Sequence, residues 1–246
     1  MFKIKRIILA MLFICTCANP AHSRALSIAC AANFTKPMSE LAHIYSEQNG
    51  ISVRTTFGST GMLYGQIING APYDLFFSAD EKRPHLLEEK GLAEGVQPYA
   101  TGRLALWTKA KYPASITHWE EAIRYKPDAK IGIANAKTAP YGAASRKLLD
   151  SKKLWNELQQ RFAFGKSIGV TFQYAYSGSV DVAFIALSQA LSDKGKEGKY
   201  WAIPNGPLIK QAACALKTQN REAANSFLHW LKTPEAAKVI EKYGYN

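Results

Sequence analysis

The sequence predicts an α/β fold of mostly parallel sheets, and three observations carry that expectation. Short apolar runs alternate with amphipathic helical stretches almost from end to end. Several of those runs are continuously apolar, as strands covered on both faces are. Apolar residues make up 47% of the 246 and charged residues 20%, the balance of a chain that buries a core.

In order along the chain, residues 26–32 read as the first strand. Met38, Leu41, Ala42 and Tyr45 then recur at i, i+3, i+4 and i+7, the apolar stripe of a helix that Gly50 stops. Residues 51–57 alternate as a second strand, and a helix over 60–68 ends at Asn69-Gly70. Residues 74–78 form a third strand, and Asp80 stands where an N-cap opens the helix around Leu86. Residues 99–109 are extended, 119–125 helical and 130–134 a short buried strand, with helices following on each side of Ser151. Residues 180–186, 201–203 and 209–216 complete the strands. The end is helical, with Ala224, Phe227, Leu228 and Leu231 on one face and Ala236, Val239, Ile240 and Tyr243 on another. There is no internal sequence repeat and no linker long enough to part independent domains.

The N-terminus reads as an export signal. Lys3, Lys5 and Arg6 precede an apolar run at 7–17, about half the roughly twenty residues a membrane span needs. Asn19-Pro20 breaks it, and Ala21-His22-Ser23 offers small residues for cleavage before Arg24. An uncleaved anchor is the alternative. Removing three cations and no acid takes the net charge from +12 to +9. Cys15 and Cys17 leave with the signal, while Cys30 and Cys214 remain inside apolar runs, either bridged or as two buried thiols. A zinc site is not expected, because the mature chain has no CxxC or HExxH and its histidines are scattered.

In sheets of this kind ligands sit beyond the carboxyl ends of strands, at helix N-termini. Four strand-to-helix turns stand out: Ala31-Ala32-Asn33-Phe34-Thr35, Phe57-Gly58-Ser59-Thr60-Gly61, Thr138-Ala139-Pro140-Tyr141-Gly142 and Gly165-Lys166-Ser167-Ile168-Gly169-Val170. Each presents an amide, hydroxyls or free backbone N–H groups at the positive end of a helix, the means of holding an anion without a counter-charge. Any one of them alone reads equally as an ordinary helix cap. None contains Asp or Glu, although Lys36 and Lys137 lie beside two of them in sequence and Lys166 within the fourth. Donors without a carboxylate acceptor suit a fully deprotonated oxyanion, such as sulfate, molybdate or tungstate, better than hydrogen phosphate, whose buried O–H wants an acceptor. Gly165-Lys166-Ser167 lacks the upstream glycine of a P-loop, Gly58-Ser59-Thr60-Gly61 is not a nucleophile elbow, and no histidine lies in the turns to activate a serine. Asp74, Asp80 and Glu81 are expected to cap and be solvated rather than to act as an acid–base pair. Lysines spread over helix faces of an exported chain argue against nucleic acid as the partner of its positive charge.

These turns, in this order, resemble those of the exported molybdate-binding proteins that serve ABC transporters. The resemblance is carried by Ala31-Ala32-Asn33-Phe34, by Phe57-Gly58-Ser59-Thr60-Gly61 and especially by the stretch 69–80, from Asn69-Gly70-Ala71-Pro72 to Ser78-Ala79-Asp80. Pro140-Tyr141-Gly142, residues 182–189, Thr233-Pro234-Glu235-Ala236-Ala237 and Lys242-Tyr243-Gly244-Tyr245 extend it over nearly all of the mature chain. It implies a two-lobed, type II periplasmic binding protein with the ligand cleft between lobes, each lobe a mostly parallel sheet flanked by helices. Residues 1–23 would be the signal, 24–103 and 212–246 the first lobe, and 104–211 the second, with crossings near Arg103 and Ala212.

By the same resemblance, Asn33 and Thr60, with Ser59 beside it, bind from the first lobe, and Tyr141 and the Ile168 backbone N–H from the second. They would touch the oxygens of molybdate or tungstate, not the metal atom, and no cofactor is implied. Many members have Ser in place of Asn33 and Tyr in place of Ala186; others, like this chain, carry the tyrosine at the position of Tyr141. The expected function is a periplasmic receptor, not an enzyme, that works as a monomer and delivers its oxyanion to an inner-membrane ABC transporter permease. The alternatives are a receptor for another oxyanion or a small organic anion on the same fold, and an exported hydrolase, which needs a nucleophile–base pair the turns lack.

Overall fold

The computed structural model describes residues 25–246. The expected export signal, with Cys15 and Cys17, lies outside them. Among the described residues no helix is long and apolar enough to cross a membrane.

The chain first builds one sheet from strand–helix units. β1 (Leu26–Ala31) passes through a 3-10 turn (Ala32–Phe34) into α1 (Thr35–Asn49), β2 (Val53–Gly58) into α2 (Thr60–Ile68), and β3 (Leu75–Phe77) into α3 (Lys82–Glu89). β4 (Ala93–Gly102) ends this run, and a single residue, Arg103, leads into β5 (Leu104–Thr108) of a second sheet. There follow α4 (Trp119–Tyr125), β6 (Ile131–Ala134), α5 (Pro140–Ser151) and α6 (Trp155–Leu158). β7 (Phe162–Gly165), α7 (Ile168–Tyr176), β8 (Val182–Ala186), α8 (Leu187–Ala190) and β9 (Lys199–Ala202) complete that half. β10 (Ile209–Leu216) returns to the first sheet, and α9 (Arg221–Trp230) and α10 (Pro234–Lys242) close the chain. The returning strand starts at Ile209, three residues ahead of the crossing the resemblance implied.

Strand order is β2-β1-β3-β10-β4 in the first sheet and β7-β6-β8-β5-β9 in the second. Both sheets are mixed, yet four strands of each run the same way. The reversed strand is β10 in one, antiparallel to β3 and β4, and β5 in the other, antiparallel to β8 and β9. In both cases it is the strand that arrives from the opposite sheet. The two halves therefore share one topology, β1, β2 and β3 matching β6, β7 and β8, although their sequences show no repeat.

Period-two alternation splits the strand side chains between faces. In the first sheet Leu26, Ile28, Cys30, Leu75 and Phe77 pack under α1, α9 and α10, through Met38, Leu41, Phe227 and Ile240. Ala29, Phe76, Cys214 and Leu216 face α2 and α3 through Leu63, Ile67 and Leu87. In the second sheet Leu106, Ile131, Ile133 and Phe184 pack against α4 and α5, and Ala105, Trp107, Ala183 and Ile185 against α7 and α8. β7 has no counterpart in the sequence reading: it is a four-residue edge strand paired only with β6, its Phe162 packed with Trp155 at the margin of the second sheet's core and its Phe164 exposed.

Two expectations about single residues are decided by the fold. Cys30 on β1 and Cys214 on β10 are free, buried thiols. The strand β3 lies between them, about 9–10 Å of strand spacing, and they face opposite sides of the sheet, so a bridge is geometrically excluded. Asp74 is fully buried rather than solvated, accepting from the Ser27 N–H at 2.9 Å, Thr218 Oγ1 at 2.7 Å and Asn220 Nδ2 at 3.3 Å. It ties the start of β3 to the loop after β10.

Candidate functional site

The four turns singled out in the sequence meet between the sheets. Each joins the carboxyl end of a strand to a helix start: β1 to the turn at Asn33, β2 to α2, β6 to α5, and β7 to α7. By the shared topology they are two equivalent pairs, one from each sheet. The equivalence reaches single atoms. Ser59 and Ser167 are both N-caps, and each Oγ accepts from the N–H three residues on, Met62 at 3.4 Å and Val170 at 3.2 Å.

Between the turns lies a narrow cavity, lined by residues 31–33, 58–60, 79, 139–141 and 168. Asn33, Ser59, Thr60, Tyr141 and Ile168, expected together, are all in its wall and all buried. No lining residue is charged; Lys36, Lys137 and Lys166 stand outside it. A larger groove beside it takes in Lys36 and Lys194 but only the first of the four turns and a single residue of α7's opening, Gly169. Among the described residues no group of three or more His, Cys, Asp or Glu could hold a metal ion.

What the wall offers is hydrogen-bond donors. Thr60 Oγ1 accepts from the Ala79 N–H at 3.0 Å, which leaves its own proton free. Ser59 Oγ, occupied by Met62, is in the same position. Tyr141 is fully buried, and burial above all, with Tyr245 beside it, raises its phenol well above the ordinary tyrosine range. At neutral pH it is an uncharged donor. Thr60 and Ile168 open their helices, so neither backbone N–H has an acceptor within its own helix. No histidine or carboxylate lines the cavity to make a nucleophile of any hydroxyl.

Asn33 is arranged differently from the expectation of a free side-chain donor. Its Nδ2 donates to Gln211 Oε1 at 2.7 Å and to Tyr245 Oη at 2.9 Å, and its Oδ1 is buried without a partner. Its carbonyl accepts from Ser188 Oγ at 2.7 Å. Gln211, Tyr245 and Ser188 form a layer behind the wall that the sequence reading missed. The signals were present: a glutamine inside the apolar run of β10, and a tyrosine in the C-terminal tail.

The two halves also touch directly around the cavity. The Gly61 N–H donates to the Thr138 carbonyl at 2.8 Å, and Arg83 Nη2, held by Asp80, donates to the Lys137 carbonyl at 3.3 Å. A Cβ on Gly61 would stand 3.0 Å from Thr138 Cα and its carbonyl oxygen. On the other side, a Cβ on Gly102 at the end of β4 would fall 2.0 Å from Tyr141 Oη. Glycine at 102 is what lets a tyrosine from the second half reach the interior of the first.

Comparison with known proteins places these features in a wider set. Residues 26–246 match the model of a family described as bacterial extracellular solute-binding protein. The molybdate-binding protein of Rhodobacter capsulatus is 38% identical to the chain over 93% of it and 90% of the relative. That of Azotobacter vinelandii is 35% identical over 99% and 98%. The solved structure of the Azotobacter vinelandii periplasmic molybdate-binding protein superimposes with a TM-score of 0.84 at 34% identity, covering 90% of this chain and 98% of that one.

Proposed function

Because the chain belongs to the bacterial extracellular solute-binding proteins, and among them to the molybdate-binding proteins, we propose that it captures molybdate between its two halves and hands it to an ABC transporter. The observation that carries the reading is the uncharged cavity at four converging helix starts, lined by Ser59, Thr60, Tyr141 and the helix-opening Ile168 and with no carboxylate in its wall. A tetrahedral dianion there is neutralised by dipoles and donors from both sides rather than by a cation.

In this reading Ser59 and Thr60 donate through their hydroxyls, Tyr141 through its phenol, and Asn33 and Ile168 through their backbone N–H groups. Tungstate, with the same charge and shape, binds in the same way. Residues 24–103 and 212–246 act as one lobe and 104–211 as the other, apart from the few residues of β10 that precede Ala212. The receptor works as a monomer in the periplasm, sent there by the signal at 1–23, and delivers to an inner-membrane permease. It performs no chemistry on its ligand, since no hydroxyl in the cavity has a base beside it.

Isothermal titration of the purified mature protein tests this. Molybdate and tungstate should bind tightly, sulfate weakly, and phosphate not measurably at neutral pH, because a retained O–H finds no carboxylate to accept it. Phosphate as tight as molybdate would overturn the donor-based site.

A further inference from the structure

We infer that Gln211 is a positioning residue that decides which end of the Asn33 amide faces the bound oxyanion. The inference rests on the oxyanion reading above and concerns how that site is set. Asn33 lines the cavity; Gln211, Tyr99 and Tyr245 do not. The end of the Asn33 amide turned away from them is the end available to an anion. In the present arrangement that end is Oδ1, an acceptor with no partner, and an acceptor facing a dianion is repulsive.

The surrounding distances permit the opposite arrangement without moving any atom far. A carboxamide carries its oxygen and nitrogen at nearly equivalent positions, so a half-turn of both amides keeps every separation and exchanges donors for acceptors. Gln211 Nε2 then donates to Asn33 Oδ1 across the 2.7 Å contact and to Tyr99 Oη across the 2.9 Å contact. Tyr99 gives its own proton to the Ser78 carbonyl at 3.2 Å. Tyr245 turns its one proton from the Asn33 carbonyl, 2.9 Å away, to Asn33 Oδ1 across 2.9 Å, and the carbonyl keeps Ser188 Oγ at 2.7 Å. Gln211 Oε1 comes to lie 3.5 Å from Tyr141 Oη, too far to hold that proton against a charged oxygen. Asn33 Oδ1 is no longer orphaned, and Asn33 Nδ2 faces the anion.

Gln211 relays a choice set by a group that cannot reverse: with the Tyr99 proton on the Ser78 carbonyl, Tyr99 Oη takes an N–H from Gln211, and the same Nε2 then faces Asn33. The hydroxyls of Tyr245 and Ser188 serve as donor or acceptor by rotating, whereas an amide must offer an N–H on one side and an oxygen on the other. Gln211 is fully buried on the strand that returns from the second sheet, so its amide has no water to turn to.

The test is molybdate titration into the wild-type protein, Gln211→Glu and Gln211→Met, each with and without Asn33→Ala, with unliganded melting temperature as the check on folding. The carboxylate of Gln211→Glu only accepts, so it holds Asn33 Nδ2 and turns Oδ1 to the anion. Its affinity should fall more than about a hundredfold beside Asn33, and by much less in the Asn33→Ala background, where only its charge acts. Gln211→Met, neutral and of similar length, should weaken binding about tenfold beside Asn33 and leave the Asn33→Ala affinity unchanged. If Gln211→Glu does not fold, the Gln211→Met comparison decides alone. Equal losses in both backgrounds would mean that Gln211 acts by packing or charge, and would overturn the positioning role while leaving the functional reading intact. A wild-type protein that does not bind molybdate overturns both.

Discussion

A hydroxyl is donor and acceptor at once, and what it offers a ligand depends on what already occupies its lone pairs. Thr60 has the Ala79 N–H on its oxygen and Ser59 has the Met62 N–H, so in both the proton is the part left to give. Tyr141 reaches the same condition by burial, which keeps the phenol protonated and therefore able to donate. Its ring enters the interior through the space that Gly102 leaves. Tyr141→Phe removes one hydrogen bond to a charged group, about 1.5–3 kcal/mol, or ten- to hundredfold in molybdate affinity. Titration of the variant checks it, and the unliganded melting temperature should change little. Unchanged affinity would mean that the ring only packs.

At the scale of elements, the proposed site is four helix starts brought together by two copies of one strand order. Gly61 shows how closely they approach, being the second residue of α2 and donating its N–H to Thr138 across the cleft. Gly61→Ala should raise the stability of α2 by about 0.5–1 kcal/mol, since glycine is a poor helix residue. The same methyl presses on the Thr138 backbone, and an overpacking cost of about 1 kcal/mol should weaken molybdate binding about fivefold. Opposite signs in melting temperature and affinity are the outcome to look for. Most elements were legible in the sequence because strands of this fold are continuous apolar runs and its helices carry regular stripes; 60–68, 119–125 and 209–216 end where expected. β7 was not, because an edge strand of four residues that leans on Trp155 carries no pattern of its own. Asn33, Ser59, Thr60, Tyr141 and Ile168 were legible as turn residues at helix starts. Gln211, Tyr245 and Ser188 were not, since they reach Asn33 from 178, 212 and 155 residues away and only the fold brings them there.

For the whole molecule, the consequence of donors on both sides is closure. The described halves already touch at Gly61–Thr138, Arg83–Lys137 and Ser188–Asn33. Tyr245 meets Ser188 as well, and Ala31, Ala32 and Ala79 pack with Tyr141 and Ile168, so parting the halves exposes apolar as well as polar groups. An oxyanion that takes donors from both favours the closed state by the difference in what each state gives it. Neither half alone surrounds four charged oxygens, and the wall carries no cation to hold them from one side. The net positive charge, +9 without the expected signal, is carried by residues outside the cavity wall, where it speeds the encounter with an anion but does not grip it. Small-angle scattering of the mature protein with and without saturating molybdate measures closure directly. The radius of gyration should fall on binding as the two sheets close over the anion. An unchanged radius at saturation, with a raised melting temperature showing that molybdate is bound, would contradict capture between the halves.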